Sequence, residues 1–135
     1  MERAQKVDVF ISVAAVADYH TVDPKPHKIK RGNGNLNVEL APNPDILGEV
    51  AALPKGPFCV GFAAETEDLE VNAQEKRRKK GIPLLAANLA HETFGKDTNA
   101  LTLFDGDGVH ELPLAPKIVL ARQLVAHIAK MLPQR

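Results

Sequence analysis

Three short apolar runs, separated by segments with helical patterns, constrain the fold of this 135-residue chain more than any other feature. They cover residues 7–13, 58–63 and 84–87. The first is rich in β-branched and aromatic residues, as buried parallel strands usually are. Strands that alternate with helices favour a mainly parallel α/β sheet. We therefore expect an α/β fold with a buried sheet.

The first helix is predicted just before the second apolar run. Asn43 is the expected N-cap and Pro44 the first helical residue, a pairing typical of helix starts. Such a start presents free backbone amides to anions. The apolar positions expected to face the core are Ile46, Leu47, Val50 and Leu53.

The second helix has charge at both ends. Thr66 is its expected N-cap and Gly81 its end, acidic side chains occupy the first turn, and residues 76–80 are all basic. This arrangement fits the helix dipole. Lys76 and Lys80 are four residues apart and therefore share a face of the helix. A solvent-exposed charged face that binds no ligand is the alternative interpretation.

A first hairpin is predicted around Gly-Asn-Gly-Asn at residues 32–35. Its strands would be residues 28–30 and residues 36–40, and the second of these alternates apolar and polar side chains. Alternation of this kind predicts a hairpin with one solvent-exposed face and one buried face.

A second hairpin follows a predicted loop at residues 91–99. Its strands are expected at residues 100–104 and 109–114, around Asp-Gly-Asp-Gly. This turn lacks the spaced ligands and closing glutamate of a calcium loop, so we interpret it as a turn. The last helix is predicted at residues 116–132, with a buried stripe of Ile118, Leu120, Leu124, Val125 and Ile128.

The end of the first strand carries the pattern most suggestive of function. Small residues at 14, 15 and 17 leave backbone exposed for a flat base or ribose, and Asp18 adds one charged acceptor. Lys28 and Lys30 alternate around Ile29 and so point to one side, as two groups facing a polyphosphate would. A solvated aspartate followed by a basic edge strand is the structural alternative.

Composition excludes several other classes of protein. Lysine plus arginine and aspartate plus glutamate number 17 each, so no overall field attracts nucleic acid or a membrane surface. Nothing resembles a signal peptide or a membrane span, and we expect a soluble, cytoplasmic protein. The single cysteine, Cys59, lies within an apolar run and is expected to be a reduced core thiol.

Covalent, metal and dinucleotide motifs are not evident in the sequence. The histidines at 20, 27, 91, 110 and 127 show no metal-ligand spacing, and we interpret each as a surface or loop residue. No Ser/His/Asp or Cys/His arrangement can be placed. The first strand is not followed by Gly-x-Gly-x-x-Gly, which disfavours an NAD-type enzyme.

Seven short blocks, in order along the chain, resemble the carboxyl-terminal part of phosphopantothenate cysteine ligase, a CTP-dependent bacterial family of coenzyme A synthesis. Several blocks in the right order are more specific than any one block. The blocks are AAVADY (14–19), KIK (28–30), NPDIL (43–47), VGFAAET (60–66), the basic helix with Lys76 and Lys80, AAN (86–88) and NALTLF (99–104).

The resemblance implies a Rossmann-like, mainly parallel sheet with helices on both faces and a protruding β-hairpin flap. It also implies a reaction with CTP and Mg²⁺. The carboxylate of 4′-phosphopantothenate attacks the α-phosphorus of CTP, giving an acyl-cytidylate and pyrophosphate, and the amine of cysteine then displaces CMP. FMN belongs only to a decarboxylase domain that usually precedes this one in bacteria.

Site residues follow from the resemblance position by position. Ser12, Val13 and Ala14 would contact the nucleotide, and Asp18 would serve the ribose or a metal-bound phosphate, which makes it the candidate Mg²⁺ ligand. Lys28 matches a flap lysine at the reacting phosphates and is the candidate catalytic residue.

Two further groups complete the implied CTP site. The base and sugar pocket matches Pro44, Asp45, Ile46, Leu47 and Phe62. Lys76 and Lys80 match two additional CTP contacts.

The chain also departs from the family pattern. The Gly-Pro-Thr segment and the Asn-x-Ser-Ser-Gly loop of the family do not occur in it. We therefore expect residues 1–135 to be the carboxyl-terminal portion of the ligase domain, with the amino-terminal unit missing, and to be inactive or nearly so alone. On this view residues 1–6 are the end of a helix.

Partners also follow from the resemblance. Family members are dimers in which the flap hairpin, here residues 28–40, reaches toward the other subunit, so a homodimer is expected. The alternative in another functional class is a non-catalytic nucleotide-binding or dimerisation module of the same fold. Preference for CTP over other nucleotides separates the two hypotheses.

Overall fold

The chain forms two compact units. The structure, a computed structural model, describes residues 2–89, 95 and 97–133. Ala14–Asp45 forms the smaller unit, called here the small unit, and Met1–Val13 together with Ile46–Arg135 forms the larger one, called the sheet unit. Each unit is described separately below.

Seven strands and three α-helices make up the described secondary structure. In chain order these are β1 (Val9–Ser12), β2 (Tyr19–Thr21), β3 (Leu40–Pro42), α1 (Ile46–Ala51), β4 (Phe58–Glu65), α2 (Leu69–Lys80), β5 (Leu84–Leu89), β6 (Thr98–Phe104), β7 (Val109–Pro116) and α3 (Lys117–Met131). A short 3₁₀ turn at Ala4–Lys6 precedes β1, where the sequence predicted the end of a helix.

The sheet unit contains a five-stranded sheet in the order β1-β4-β5-β6-β7. β1, β4 and β5 are parallel, whereas β6 is antiparallel to both of its neighbours, so four of the five strands run in the same direction. The prediction of a mainly parallel α/β sheet is confirmed.

Helices cover both faces of this sheet. On one face, Leu47 and Val50 of α1 and Ala73 of α2 pack with sheet residues such as Phe104. On the other face, Leu120, Leu124 and Ile128 of α3 pack against a second set that includes Val60, Leu84 and Leu103. Because successive strand residues point to opposite faces, one continuous apolar strand supplies both cores.

Gly61 allows α1 to pack closely against its face of the sheet. A Cβ atom at this position would lie 2.8 Å from Cδ1 of Ile82, 2.9 Å from Cδ2 of Leu47 and 3.0 Å from Cδ1 of Leu85. Side chains of α1 and β5 therefore meet above the backbone of Gly61, directly beside the carboxyl-terminal half of β4.

The two early helix caps were predicted wrongly. α1 begins at Ile46, and Asn43 instead uses its side chain within the small unit, where Nδ2 donates to the carbonyl oxygen of Ala17. α2 begins at Leu69, with Asp68 at the N-cap position and no side-chain capping bond, so Thr66 is not its cap. Asn43 does not cap α1 because Ala17 and His20 engage its side-chain amide and oxygen.

The end of α2 is as predicted. Gly81 adopts a left-handed conformation with φ of 64°, and its N–H donates to the carbonyl oxygens of Arg77 and Arg78. Glycine favours this conformation because it has no Cβ to clash with the backbone.

The predicted buried stripes of α1 and α3 were too wide. Leu47 and Val50 are buried, but Ile46 is exposed. In α3 the buried residues recur every four positions, at 120, 124 and 128, whereas Ile118 and Val125 are exposed. In α3, Val125 and Ile118 lie about 100° and about 120° around the helix from Leu124, the middle of the buried stripe, and so face away from the sheet.

The first hairpin is present with different strands. The antiparallel pair of the small unit is β2 with β3, in the register Tyr19 with Pro42 and Thr21 with Leu40. Residues 28–30 and 36–39 form no ladder, which corrects the predicted pairing. Ile29, Leu36 and Val38 are all exposed, so no apolar face is buried to hold a longer hairpin together.

The second hairpin is confirmed and is longer than predicted. β6 and β7 pair from Phe104 and Val109 at the turn to Thr98 and Pro116 at the far end. Thr98 and Asn99 thus belong to β6 and not to the predicted loop at 91–99. Residues 91–94 and 96 of that loop, with His91, lie outside the described residues.

Cys59 is buried in the core, as predicted. Burial raises the pKa of its thiol, which disfavours the reactive thiolate. None of the helices described here is both long and apolar enough to cross a membrane.

Gly61→Val is expected to lower the free energy of unfolding by ~1–3 kcal/mol, because the new side chain overpacks the contact between α1, β4 and β5. The matched control is Gly32→Val, since a Cβ at Gly32 meets nothing within 4 Å, and a change within about 0.5 kcal/mol is expected. Urea denaturation measures both, and equal losses would contradict close packing at Gly61.

Candidate functional site

The carboxyl ends of the parallel strands define one edge of the sheet unit. β1 ends at Ser12, β4 at Glu65 and β5 at Leu89. Ser12 pairs with Gly61, so β4 continues four residues beyond the end of β1. Ligands of open α/β sheets bind at this edge, where loops and helix starts meet.

Glu65 is a functional candidate that the sequence analysis missed. Its side chain is buried at the carboxyl end of β4, and its Oε1 accepts a hydrogen bond from Nζ of Lys76 on α2 at 2.5 Å. A buried carboxylate requires such a partner because an unpaired one carries a large desolvation cost. An acidic residue directly after an apolar run was the available signal.

Lys76, a predicted CTP contact, therefore lies at this edge, where it pairs with Glu65. Its side chain is 49% exposed, against 10% for that of Glu65. One side of the ammonium group thus faces the buried acid while the rest remains open to solvent. Lys80 lies at the last turn of α2 and is half-buried.

Phe62 is an exposed aromatic on the face of the sheet that α3 covers only in part. It shares the side of β4 with Val60, which is fully buried beneath α3, yet Phe62 is 41% exposed. Ile11 on the neighbouring strand β1 lies on the same side and is also partly exposed. Together they form an apolar surface near the carboxyl ends of the strands, of a kind that suits a flat ring.

In the small unit, Asn43 connects two of the predicted site segments. Its backbone N–H donates to the carbonyl oxygen of Asp18 at 2.8 Å, its Nδ2 donates to that of Ala17 at 2.7 Å, and its Oδ1 lies 2.8 Å from Nδ1 of His20. These bonds hold the backbone of Asp18 beside the chain that leads into Pro44. The side chain of Asp18 is exposed.

Lys28 lies in an exposed segment of the small unit that follows the two prolines. Beyond it, residues 29–36 curl around a solvent-open concavity with Lys30 and Arg31 in its lining. Basic side chains are thus available along this segment, although the lysines do not lie on a paired strand.

The predicted site residues are divided between the two units. Ser12, Phe62 and Lys76 lie at or near the carboxyl edge of the sheet unit, and Val13 follows β1 with its side chain exposed. Leu47 is in the core, whereas Ile46 is exposed. The small unit holds Ala14, Asp18, Lys28, Pro44 and Asp45, all exposed.

A second polar cluster lies at the turn between β6 and β7. Oδ2 of Asp105 is 2.9 Å from Nε2 of His110 and 3.0 Å from Nε2 of His127, while Oδ1 accepts the backbone N–H groups of Asp107 and Gly108. The interpretation of these two histidines as isolated surface or loop residues is therefore wrong. Their separation from Asp105 by 5 and 22 residues, on different elements, hid the cluster from motif searching.

The cluster sets the protonation of Asp105. Burial favours the neutral carboxyl group, but the hydrogen bonds from His127, Asp107 and Gly108, together with the charge of His110, outweigh burial and lower the pKa of Asp105. A lowered pKa means that the ionised carboxylate stabilises the fold above its unfolded pKa of about 3.9. That contribution is lost as pH falls through the folded value.

The fold and the carboxyl edge together define an α/β protein of the Rossmann-like class. Residues 1–132 match the family described as DNA/pantothenate metabolism flavoprotein C-terminal domain, and the chain belongs to this family. The family resemblance predicted from the seven sequence blocks is confirmed.

Similar proteins include the Coenzyme A biosynthesis bifunctional protein CoaBC of Vibrio cholerae, 45% identical over a 127-residue alignment that covers 90% of this chain and 32% of that protein. The Escherichia coli K12 protein of the same name is 41% identical over 92% of this chain and 32% of its own length. The chain thus spans about a third of these relatives.

Solved structures agree with this assignment. The crystal structure of the C-terminal domain of CoaBC superposes with a TM-score of 0.76 at 33% identity, covering 96% of this chain and 57% of that one. A DNA/pantothenate metabolism flavoprotein from Streptococcus pneumoniae gives a TM-score of 0.78 at 21% identity, covering 97% and 66%. The second comparison supports the fold alone.

Lys76→Met is expected to lower the free energy of unfolding by ~1–3 kcal/mol, because it leaves the buried Glu65 carboxylate without the lysine. The matched control is Lys79→Met, an exposed lysine on the same helix, for which a change within about 0.5 kcal/mol is expected. In a double-mutant cycle with Glu65→Gln, additive effects in urea denaturation would show that the pair does not interact.

Proposed function

We propose that this chain acts in coenzyme A biosynthesis as part of a CTP-dependent ligase that joins cysteine to 4′-phosphopantothenate. The observation that carries the proposal is the similarity, over 90% or more of the chain, to proteins named as coenzyme A biosynthesis bifunctional proteins. The exposed Asp18 and Phe62 support it, since neither side chain is taken up by the core.

The proposed reaction proceeds through an acyl-cytidylate. The carboxylate of 4′-phosphopantothenate attacks the α-phosphorus of CTP and pyrophosphate leaves, after which the amine of cysteine attacks the acyl carbon and CMP leaves. Both steps need reactants held in the orientation for attack and negative charge neutralised, rather than a protein nucleophile. The buried, protonated thiol of Cys59 agrees with this requirement.

Charge neutralisation is assigned to exposed side chains. Lys28 would stabilise negative charge on the phosphates, and Lys76 would offer the open side of its ammonium group. Mg²⁺ prefers carboxylate, phosphate and water oxygens, and a single exposed carboxylate such as that of Asp18 suits an ion held mainly by nucleotide and water. When bound, the ion would supply further charge stabilisation.

Contact with the base and sugar is assigned to exposed apolar side chains. Phe62 presents an exposed ring that would contact the base or sugar, and Ile46 presents an exposed aliphatic side chain at the start of α1. Leu47 would contact the nucleotide through its backbone or would support neighbouring residues of the pocket, because its side chain packs above Gly61.

CTP binding tests the proposal directly. Lys28→Gln and Asp18→Ala are each expected to weaken CTP binding by about tenfold, the loss of ~1.4 kcal/mol of charge-assisted contact. Lys130→Gln, on an exposed lysine of α3, should leave the affinity unchanged. Isothermal titration calorimetry with CTP and ATP, in Mg²⁺, makes the comparison.

The same titration separates the two classes of function. The ligase proposal requires CTP to bind more tightly than ATP, and it fails if wild-type protein binds both equally or if Lys28→Gln has no effect. Equal binding of all nucleotides is the result expected of a non-catalytic nucleotide-binding module.

We further propose that residues 28–40 contribute to a homodimer. Ile29, Leu36, Val38 and Leu40 are all more than half exposed, which is an apolar segment suited to a second copy of the chain. Residues 28–38 belong to no ladder, which leaves this stretch of backbone for pairing, whereas the carbonyl oxygen of Glu39 already accepts the N–H of Val22.

Val38→Glu is expected to shift the protein toward monomer, because a buried unpaired charge at an interface is costly. Val125→Glu introduces the same change on the exposed side of α3 and should leave the association state unaltered. Sedimentation equilibrium over a range of concentrations measures both. A strictly monomeric wild type would refute the proposed dimer.

A further inference from the structure

The cluster at the turn between β6 and β7 has the composition and geometry of a metal site. We propose that Asp105, His110 and His127 bind a divalent transition-metal ion of the zinc class. The three residues come from three elements: the turn after β6, the second position of β7, and the third turn of α3. In the described part of the chain they are the one group of three potential ligands whose donor atoms all lie within 4.8 Å of one another.

The distances require little adjustment to receive an ion. Nε2 of His110 and Nε2 of His127 lie 2.9 and 3.0 Å from the same Asp105 oxygen. Ligand atoms around tetrahedral Zn²⁺, each about 2.0–2.1 Å from the ion, are separated by about 3.3 Å. Expansion of these two contacts by a few tenths of an ångström, with the donor nitrogens of the two histidines within 4.8 Å of each other, therefore gives a coordination shell with one open position.

The carboxylate is held in place before any ion arrives. Asp105 is only 3% exposed, and its Oδ1 accepts the N–H groups of Asp107 at 2.9 Å and Gly108 at 3.0 Å. These bonds leave Oδ2 directed at the two imidazoles. Support of this kind for a ligating carboxylate is the usual arrangement around protein-bound metals.

An ion can reach the site from solvent. The side chain of His110 is 40% exposed and that of His127 is 20% exposed, while Asp105 forms the buried floor. The two rings are close, with centroids 4.6 Å apart and planes inclined by 56°. This inclination lets both Nε2 atoms approach one point from different directions.

The donor set selects the kind of ion. Two imidazole nitrogens and one carboxylate oxygen suit zinc and its neighbours in the first transition row, whereas Mg²⁺ and Ca²⁺ prefer shells made of oxygen. Binding needs a lone pair on each Nε2. The proton carried there in the hydrogen-bonded state moves to Nδ1 of the same ring or to solvent.

The site lies at the opposite edge of the sheet from the sheet-unit part of the candidate nucleotide site. Phe104, the last residue of β6, pairs with Leu85 near the start of β5, so the turn that carries Asp105 lies at the edge where the parallel strands begin. Ser12 and Glu65 end their strands at the opposite edge. An ion bound here would connect α3 to the hairpin of β6 and β7 and would stabilise their packing.

Titration with Zn²⁺ tests the site on the whole chain. We expect about one Zn²⁺ per chain, an increase in thermal midpoint on binding, and no competition from excess Mg²⁺. His110→Gln and His127→Gln should each weaken Zn²⁺ binding by at least about tenfold and remove the increase in thermal midpoint. His27→Gln, at an exposed histidine of the small unit, should change neither.

Co²⁺ offers a spectroscopic readout of the same site. Low-coordinate Co²⁺ in wild type and His27→Gln should give visible absorption bands that His127→Gln lacks. If the variants unfold, NMR of the wild-type imidazole nitrogens replaces them, and Zn²⁺ should shift the Nε2 signals of His110 and His127. The proposal is overturned if wild type binds no Zn²⁺, if the His27→Gln control loses binding as the cluster variants do, or if those signals stay unchanged.

Discussion

Burial of strand β4 on both faces organises the sheet unit, because each helix packs against side chains that this strand and its neighbours supply. Val60 points into the core beneath α3, while Cys59 points into the core beneath α1 and α2. Gly61 lets Leu47 and Ile82 approach the strand more closely than any side chain would permit. Near Phe62 the cover of α3 is incomplete, and an exposed ring results. The apolar part of the candidate site is thus exposed because α3 does not extend over this end of β4.

Two buried carboxylates mark opposite edges of the same sheet. Glu65 lies where β4 ends and pairs with Lys76, whereas Asp105 lies at the other edge and meets two histidines and two backbone amides. Both acids need partners because an isolated buried charge would shift its protonation or destabilise the fold. The choice of partner separates their chemistry: a lysine leaves a cation facing solvent, while two imidazoles form a donor set suited to a transition metal.

Much of the fold follows from local pattern. Gly81 as the end of α2 and the hairpin of β6 and β7 were predicted because glycine conformation and strand alternation are local properties. The cap of α1 was not, because Asn43 bonds to Ala17 and Asp18, residues 25 or more positions earlier in the sequence. Likewise, the width of the buried stripe in α3 depends on how much of the helix the sheet covers, which no helical period specifies.

The sequence by itself determined the order of strands and helices in the sheet unit, the mainly parallel sheet and the family, since apolar periodicity and ordered sequence blocks are properties of the chain. Tertiary structure alone decided which polar groups meet. Lys76 was a predicted CTP contact, but its pairing with Glu65 depends on how α2 packs against β4. The Asp105 cluster depends on the register of β6 with β7 and on the position of α3. Contacts between distant residues arise only when packing has fixed the elements that carry them.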